Sequence, residues 1–260
     1  MAKYEWYDPI ATTGKLRQKT GGRAWMRDLF ALNAFDITKW EDNFLGDALR
    51  GEYSAVSTGG GDASHDKLAG SLNGESTLDV GDGGTSSDNE YGGLPLGLEW
   101  AGDNNAIFCC RLKLSAITTV KVEVGFTDAL ADAGAVNVLA TPSFTATDCA
   151  VWVFDTDDTA TWQGVGAKAG TAPTKIEDSD IAAPVAGTYQ TMIVQLQGDA
   201  ARFIQLDANH GLIYESAWVA NAIEGGTKVT PWVFVQNRTG SIDRLVTMDY
   251  FNCYQSNSSA

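Results

Sequence analysis

The sequence predicts an all-β protein: a two-sheet antiparallel sandwich preceded by an N-terminal extended arm. Three observations carry this. Leu112 and Leu114, then Val120, Val122, Val124 and Phe126, fall on one side of their segments, with Lys113, Lys121 and Glu123 on the other. That period of two is the mark of half-buried strands. Glycine is abundant, at 28 of 260 residues, while only 20% of residues are charged, as in many short strands joined by glycine-rich turns. Hydrophobic residues reach 44%, enough for one large core.

Residues 1–39 read as the arm. Thr12 to Gly22 is polar and turn-rich, and Arg23 to Leu32 could form a short amphipathic helix with Trp25, Leu29 and Leu32 at helical spacing. A segment of this size buries no core of its own and orders by lying on a partner or on its own domain.

Residues 40–260 are expected to form the sandwich. Ser54 to Gly93 is dense in Gly, Ser and Asp and reads mostly as loops, with short strands around Lys67–Leu72 and Ser76–Val80. Clearer strands follow at Leu94–Trp100, Ala106–Leu114, Thr119–Thr127, Cys149–Phe154, Trp162–Lys168 and Tyr189–Gln197. Ala200–Leu206 and Gly211–Ser216 form a candidate hairpin, and Lys228–Asn237 and Leu245–Tyr254 close the chain. About eleven strands at roughly 10- to 15-residue spacing suit a two-sheet jelly roll.

Charge narrows the partners. The net charge of −15 argues against nucleic acid, whose phosphates need Lys and Arg. Residues 1–40 carry seven cationic side chains against four acidic ones, a net +3, which leaves −18 on the rest. A basic head on an acidic body suggests a docking arm. No apolar run approaches a membrane span, and Met1 to Asp8 shows no apolar signal core, so export by a signal peptide is not expected. Cys109, Cys110, Cys149 and Cys253 contain no CxxC pair and only His65 and His210 accompany them, so free thiols are expected rather than a zinc site.

Several phrases carry a resemblance. Trp40-Glu-Asp-Asn-Phe44-Leu-Gly-Asp47 opens the body, and Arg111-Leu-Lys113-Leu-Ser-Ala-Ile117 leads into Val124-Gly-Phe-Thr-Asp128. Val151-Trp-Val-Phe-Asp155-Thr-Asp157 precedes Trp162-Gln-Gly-Val-Gly166. Gly187-Thr-Tyr-Gln-Thr-Met-Ile-Val-Gln-Leu196 precedes Ala201-Arg-Phe203, and Val229 to Arg238 precedes Asp249-Tyr250. From Trp40 to Tyr254 the chain resembles concanavalin A-like jelly-roll domains of tailed-bacteriophage virion proteins. That resemblance implies a structural or adhesive role rather than an enzyme, although the fold hosts lectins, hydrolases and lyases too.

The residues agree with a non-catalytic reading. Glycoside hydrolysis needs two carboxylates in one cleft, and the E-x-D-x-E triplet of jelly-roll glucanases does not occur; Glu99 and Glu123 each stand alone on their strands. His65 lies in a Gly/Ser/Asp loop, where an exposed imidazole is expected, and Asp207-Ala-Asn-His210-Gly211 reads as a turn with Asn and Gly supplying positive φ. Asp155, Asp157 and Asp158 are the calcium candidates, without the regular D-x-[DN]-x-[DN]-G loop. Trp100, Trp152, Trp162, Trp218 and Trp232 are mostly claimed by a core. In the arm, Tyr4, Trp6, Tyr7 and Trp25 interleave with Lys15, Arg17, Lys19, Arg23 and Arg27, a pattern suited to anchoring on another subunit.

The expected function is a capsid decoration or cement protein of the virion, assembled in the bacterial cytoplasm and bound through its arm to the major capsid protein. Self-association as a trimer would accompany it. The alternative is a carbohydrate-binding adhesion module recognising host surface glycans, its aromatic platform on loops 57–92 or 207–218.

Overall fold

The computed structural model describes residues 37–45, 50–58, 65–67, 74–80, 90–130, 134–239 and 244–256. In chain order its strands are β1 (Ile37–Asp42), β2 (Val56–Thr58), β3 (His65–Lys67), β4 (Ser76–Asp79), β5 (Tyr91–Pro95), β6 (Ile107–Leu114), β7 (Val120–Thr127), β8 (Val136–Val138) and β9 (Ser143–Phe144). They continue as β10 (Cys149–Asp155), β11 (Gln163–Lys168), β12 (Thr171–Ile176), β13 (Gln190–Gln197), β14 (Ala200–Leu206), β15 (Leu212–Glu215), β16 (Thr230–Asn237) and β17 (Leu245–Ser256).

Alternation gives every strand two faces, and, apart from the two-stranded β8–β9 hairpin, the described strands form two antiparallel sheets. One runs β15-β14-β13-β6-β17-β4-β3, with β1 pairing along β17 beside β4; the other runs β12-β11-β10-β7-β16-β5-β2. The central neighbours β13-β6-β17-β4 and β7-β16-β5 are distant in sequence, as a jelly roll requires, while β13-β14-β15 and β10-β11-β12 are runs of consecutive strands. Between the sheets, Phe108, Cys110 and Leu112 of β6, Met192 and Val194 of β13, and Phe251 of β17 meet Val122, Val124 and Phe126 of β7 and Trp152 of β10. Phe108 packs on Phe251 at 4.6 Å and on Phe126 at 6.0 Å between ring centroids. Burying each such side chain contributes roughly 1.5–3 kcal/mol, so this layer holds the sheets together.

Most predicted strands lie close to their expected limits. The first differs: β1 begins at Ile37, so residues 37–39 belong to the sheet, paired with Tyr254, Gln255 and Ser256. Residues 1–36, with the expected short helix, lie outside the described residues. The expected strand at Leu94–Trp100 is instead Tyr91–Pro95; β2, β12 and the β8–β9 hairpin are additions, and most of the expected Lys67–Leu72 strand lies outside the described residues.

The seven-stranded sheet corrects the half-buried reading of β7, which is buried along its whole length. The β8–β9 segment covers its outer face, where Ala135, Val136, Leu139 and Ala146 pack on Val151, Val153 and Val165. Lys121 and Glu123, expected on a solvated side, lie under this cover and are fully buried. Cys110 and Cys253 face the main core, Cys109 and Cys149 the outer layers, and all four are free thiols.

Candidate functional site

The outer face of the eight-stranded sheet gathers side chains suited to recognition. On β6 the period of two sends Arg111 and Lys113 outward as Leu112 and Leu114 go inward. On the neighbouring strand a β-bulge falls between Met248 and Tyr250: Met248 pairs with Leu112 and Tyr250 with Arg111. Asp249 is the extra residue, and its carboxylate accepts a hydrogen bond from the Arg111 guanidinium. Bulges re-aim side chains in this way and concentrate near functional sites.

Two further segments complete the cluster. Glu75, just before β4, pairs with Lys113 at 3.0 Å and accepts a hydrogen bond from the Tyr189 hydroxyl. Gly74 sets its position: the backbone there has φ +67°, and a Cβ would come within 2.2 Å of the Asn43 carbonyl oxygen, so only glycine fits. The Tyr189 ring lies under both cations, with Arg111 Cζ 4.0 Å and Lys113 Nζ 4.6 Å from its centroid, within cation–π range.

The β14–β15 turn closes one side. Asp207 Oδ1 accepts from the amides of Asn209 and Gly211, both at 2.8 Å. The positive φ of this turn falls on His210 itself, at +64°, rather than on Asn209 or Gly211. The turn thereby carries the Ala208 carbonyl to Arg111 Nη2, 3.1 Å away, and lays the His210 ring over Tyr250 at 6.4 Å and 20°. Further along the face, Arg202 pairs with Glu215 and lies 5.8 Å from the Trp218 ring.

The Tyr189 hydroxyl, with Lys113 and Arg111 behind it, holds the Glu75 carboxyl below its ordinary range. Burial, then Glu75, raises Tyr189, and burial raises Tyr250; their hydroxyls donate to Glu75 and to Thr191 respectively. Burial pushes the Cys109 thiol up to about 12, so it stays protonated at neutral pH. A hydrolase acid needs a raised carboxyl; Glu75 is shifted the other way.

Tyr4, Trp6, Tyr7, Lys15, Arg17, Lys19, Arg23, Trp25 and Arg27 lie outside the described residues. The calcium candidates are engaged by cations: Arg238 Nε meets Asp155 Oδ1 at 2.8 Å and Asp157 Oδ2 at 3.5 Å, and Lys175 meets Asp158 at 3.4 Å. Among the described residues no group of three or more His, Cys, Asp or Glu side chains could hold a metal ion. His65, expected in an exposed loop, lies on β3 with Nε2 2.9 Å from Ser76 Oγ, and burial pushes its pKa down to about 4. Trp100, Trp152, Trp162 and Trp232 are buried, whereas Trp218 is only partly so. The sequence reading missed the partnership of Arg111, Asp249, Glu75 and Tyr189; alternation pointed Arg111 outward, but the bulge at Asp249 left no sign.

Solved structures share this architecture. A protein of unknown function, SO2946 from Shewanella oneidensis MR-1, matches with a TM-score of 0.63 and 14% identity, over 96% of this chain and 98% of that one. Bacillus licheniformis β-glucanase matches with a TM-score of 0.53 and 12% identity, over 82% and 96%. The CBM2 module of evolved Dit from Lactobacillus casei BL23 phage J-1 matches with a TM-score of 0.51 and 8% identity, over 86% and 98%. The chain has the concanavalin A-like jelly-roll fold. No protein-family model matches it, and no curated protein matches its sequence. Lectins and glucanases alike have this fold, and likeness at such low identity does not choose between binding and catalysis. Among the described residues no helix is long and apolar enough to cross a membrane.

Proposed function

We propose that the chain is a non-enzymatic virion structural protein of a tailed phage whose jelly roll carries a carbohydrate-binding face. The observation that carries the binding role is the Arg111–Asp249 and Lys113–Glu75 cluster around Tyr189, beside the His210–Tyr250 stack. Carboxylates accept from sugar hydroxyls, guanidinium and phenol groups donate to them, and aromatic rings take their C–H faces. A fold shared with a module of a phage Dit protein supports the particle setting. The test is binding of the purified protein to an array of bacterial polysaccharides, with Tyr189→Ala beside the native chain. Saturable binding that the variant loses while keeping its far-UV spectrum supports the proposal; equal binding by both moves the site off this face.

The decoration reading keeps one specific support, the net +3 of residues 1–40 against −18 on the body. In it the arm seats the protein on the major capsid protein or another virion protein, with the sugar-binding face outward. Quantitative mass spectrometry of purified particles discriminates: a simple ratio to the major capsid protein fits a decoration, a handful of copies fits a tail or fibre position, and absence sinks the virion role.

A further inference from the structure

The pairing of charges across the same face selects among glycans, given the sugar-binding reading above. Arg111 bonds Asp249, Lys113 bonds Glu75 at 3.0 Å, Arg202 bonds Glu215, and Lys39 on β1 bonds Glu41 at 3.3 Å. Each of these cations therefore already faces a carboxylate. We infer that the face takes neutral, hydroxyl-rich polysaccharide and rejects acidic polymers.

A uronic-acid carboxylate brought to Arg111 or Lys113 would come up against Asp249 and Glu75, and like charges at short range repel. The chain's net charge of −15 adds a longer-ranged repulsion that salt screens beyond roughly 8–10 Å. A neutral hydroxyl has no such conflict. It donates to Asp249 or Glu75 and accepts from Arg111 or Lys113.

Two features shape the subsite. The bulge brings Asp249 beside the outward Arg111, so donor and acceptor groups stand next to each other, the spacing that neighbouring sugar hydroxyls require. The half-buried His210 ring, stacked on buried Tyr250 and fixed by the Asp207 turn, supplies a ring ledge beside them. None of this needs a net charge on the ligand.

Isothermal titration of the full chain with dextran, mixed-linkage β-glucan and galactan, and with polygalacturonate, at low and high salt, tests the inference. The expected result is binding of at least one neutral polymer, insensitive to salt and roughly tenfold or more tighter than polygalacturonate. Salt-sensitive binding of polygalacturonate by the native chain would overturn the inference while leaving the sugar-binding reading intact. No heat with any polymer would overturn both. Asp249→Asn supplies a second readout, because it leaves Arg111 without its carboxylate: polygalacturonate affinity at low salt should rise about tenfold as neutral binding falls. Glu75→Gln should move selectivity in the same direction. If neither substitution does, the paired charges do not set selectivity.

Discussion

Lys121 and Glu123, two residues apart on β7, form an ion pair at 2.9 Å with both side chains fully buried on the sheet face turned away from the main core. Glu123 also accepts from the Ala135 amide at 2.7 Å, the Val136 amide at 3.0 Å and Trp232 Nε1 at 3.0 Å. Lys121 in turn donates to the Val136 carbonyl. One carboxylate thus fastens the β8–β9 cover to the seven-stranded sheet.

Glu123→Ala should therefore cost about 3–5 kcal/mol, because it strands a buried ammonium together with three N–H donors. Lys121→Met should cost less, since Glu123 keeps those donors. Urea denaturation measures both; a loss below about 1 kcal/mol for Glu123→Ala would show that the cover is held by packing alone.

His65 predicts an acid limb. Its folded pKa is pushed below the ordinary value of 6.5 to about 4 by burial, so the native state binds fewer protons than the unfolded chain between those values. The associated stability is present above about 6.5 and drains as pH falls toward 4, amounting to about 3 kcal/mol. His65→Gln should flatten that part of the pH–stability curve. An unchanged slope would place the acid sensitivity elsewhere.

Calcium should not stabilise the protein. Arg238 grips Asp155 and reaches Asp157, and Lys175 takes Asp158, so a cation entering here must first displace two others. A thermal-shift titration with Ca²⁺ should leave Tm unchanged; a clear rise would show that these carboxylates open. Arg238→Ala should cost about 3 kcal/mol by leaving the buried Asp155 carboxylate without its partner.

Removal of the arm should stop short of Ile37, because residues 37–42 pair with β17. A chain lacking residues 1–36 should fold and fail to join particles. Normal incorporation of that chain would place the anchor on the jelly roll. Attachment that weakens with salt would implicate Lys15, Arg17, Lys19, Arg23 and Arg27, while salt-independent attachment would favour Tyr4, Trp6, Tyr7 and Trp25.

The strands of the two central sheets were legible because their inward residues repeat with period two: Met192, Val194 and Leu196 are all core, as are Val120, Val122 and Val124. Position relative to solvent was less legible. Lys121 and Glu123 carry the signature of a wet face, and only the long-range docking of Ala135–Ala146 makes that face dry. The candidate site was least legible. Arg111 is 138 residues from Asp249, and Glu75 is 114 from Tyr189, and neither partnership leaves a local pattern. Topology brings them together, and the register shift at Asp249 aims the carboxylate.

The most direct test of the sugar-binding claim is a crystal structure of the full chain with an oligosaccharide cut from a polymer that it binds. The sugar should lie on the outer face of the eight-stranded sheet, its hydroxyls on Arg111, Asp249 and Glu75 and a ring face beside His210. A sugar seated on the seven-stranded sheet or at a strand edge, with this cluster untouched, would contradict it.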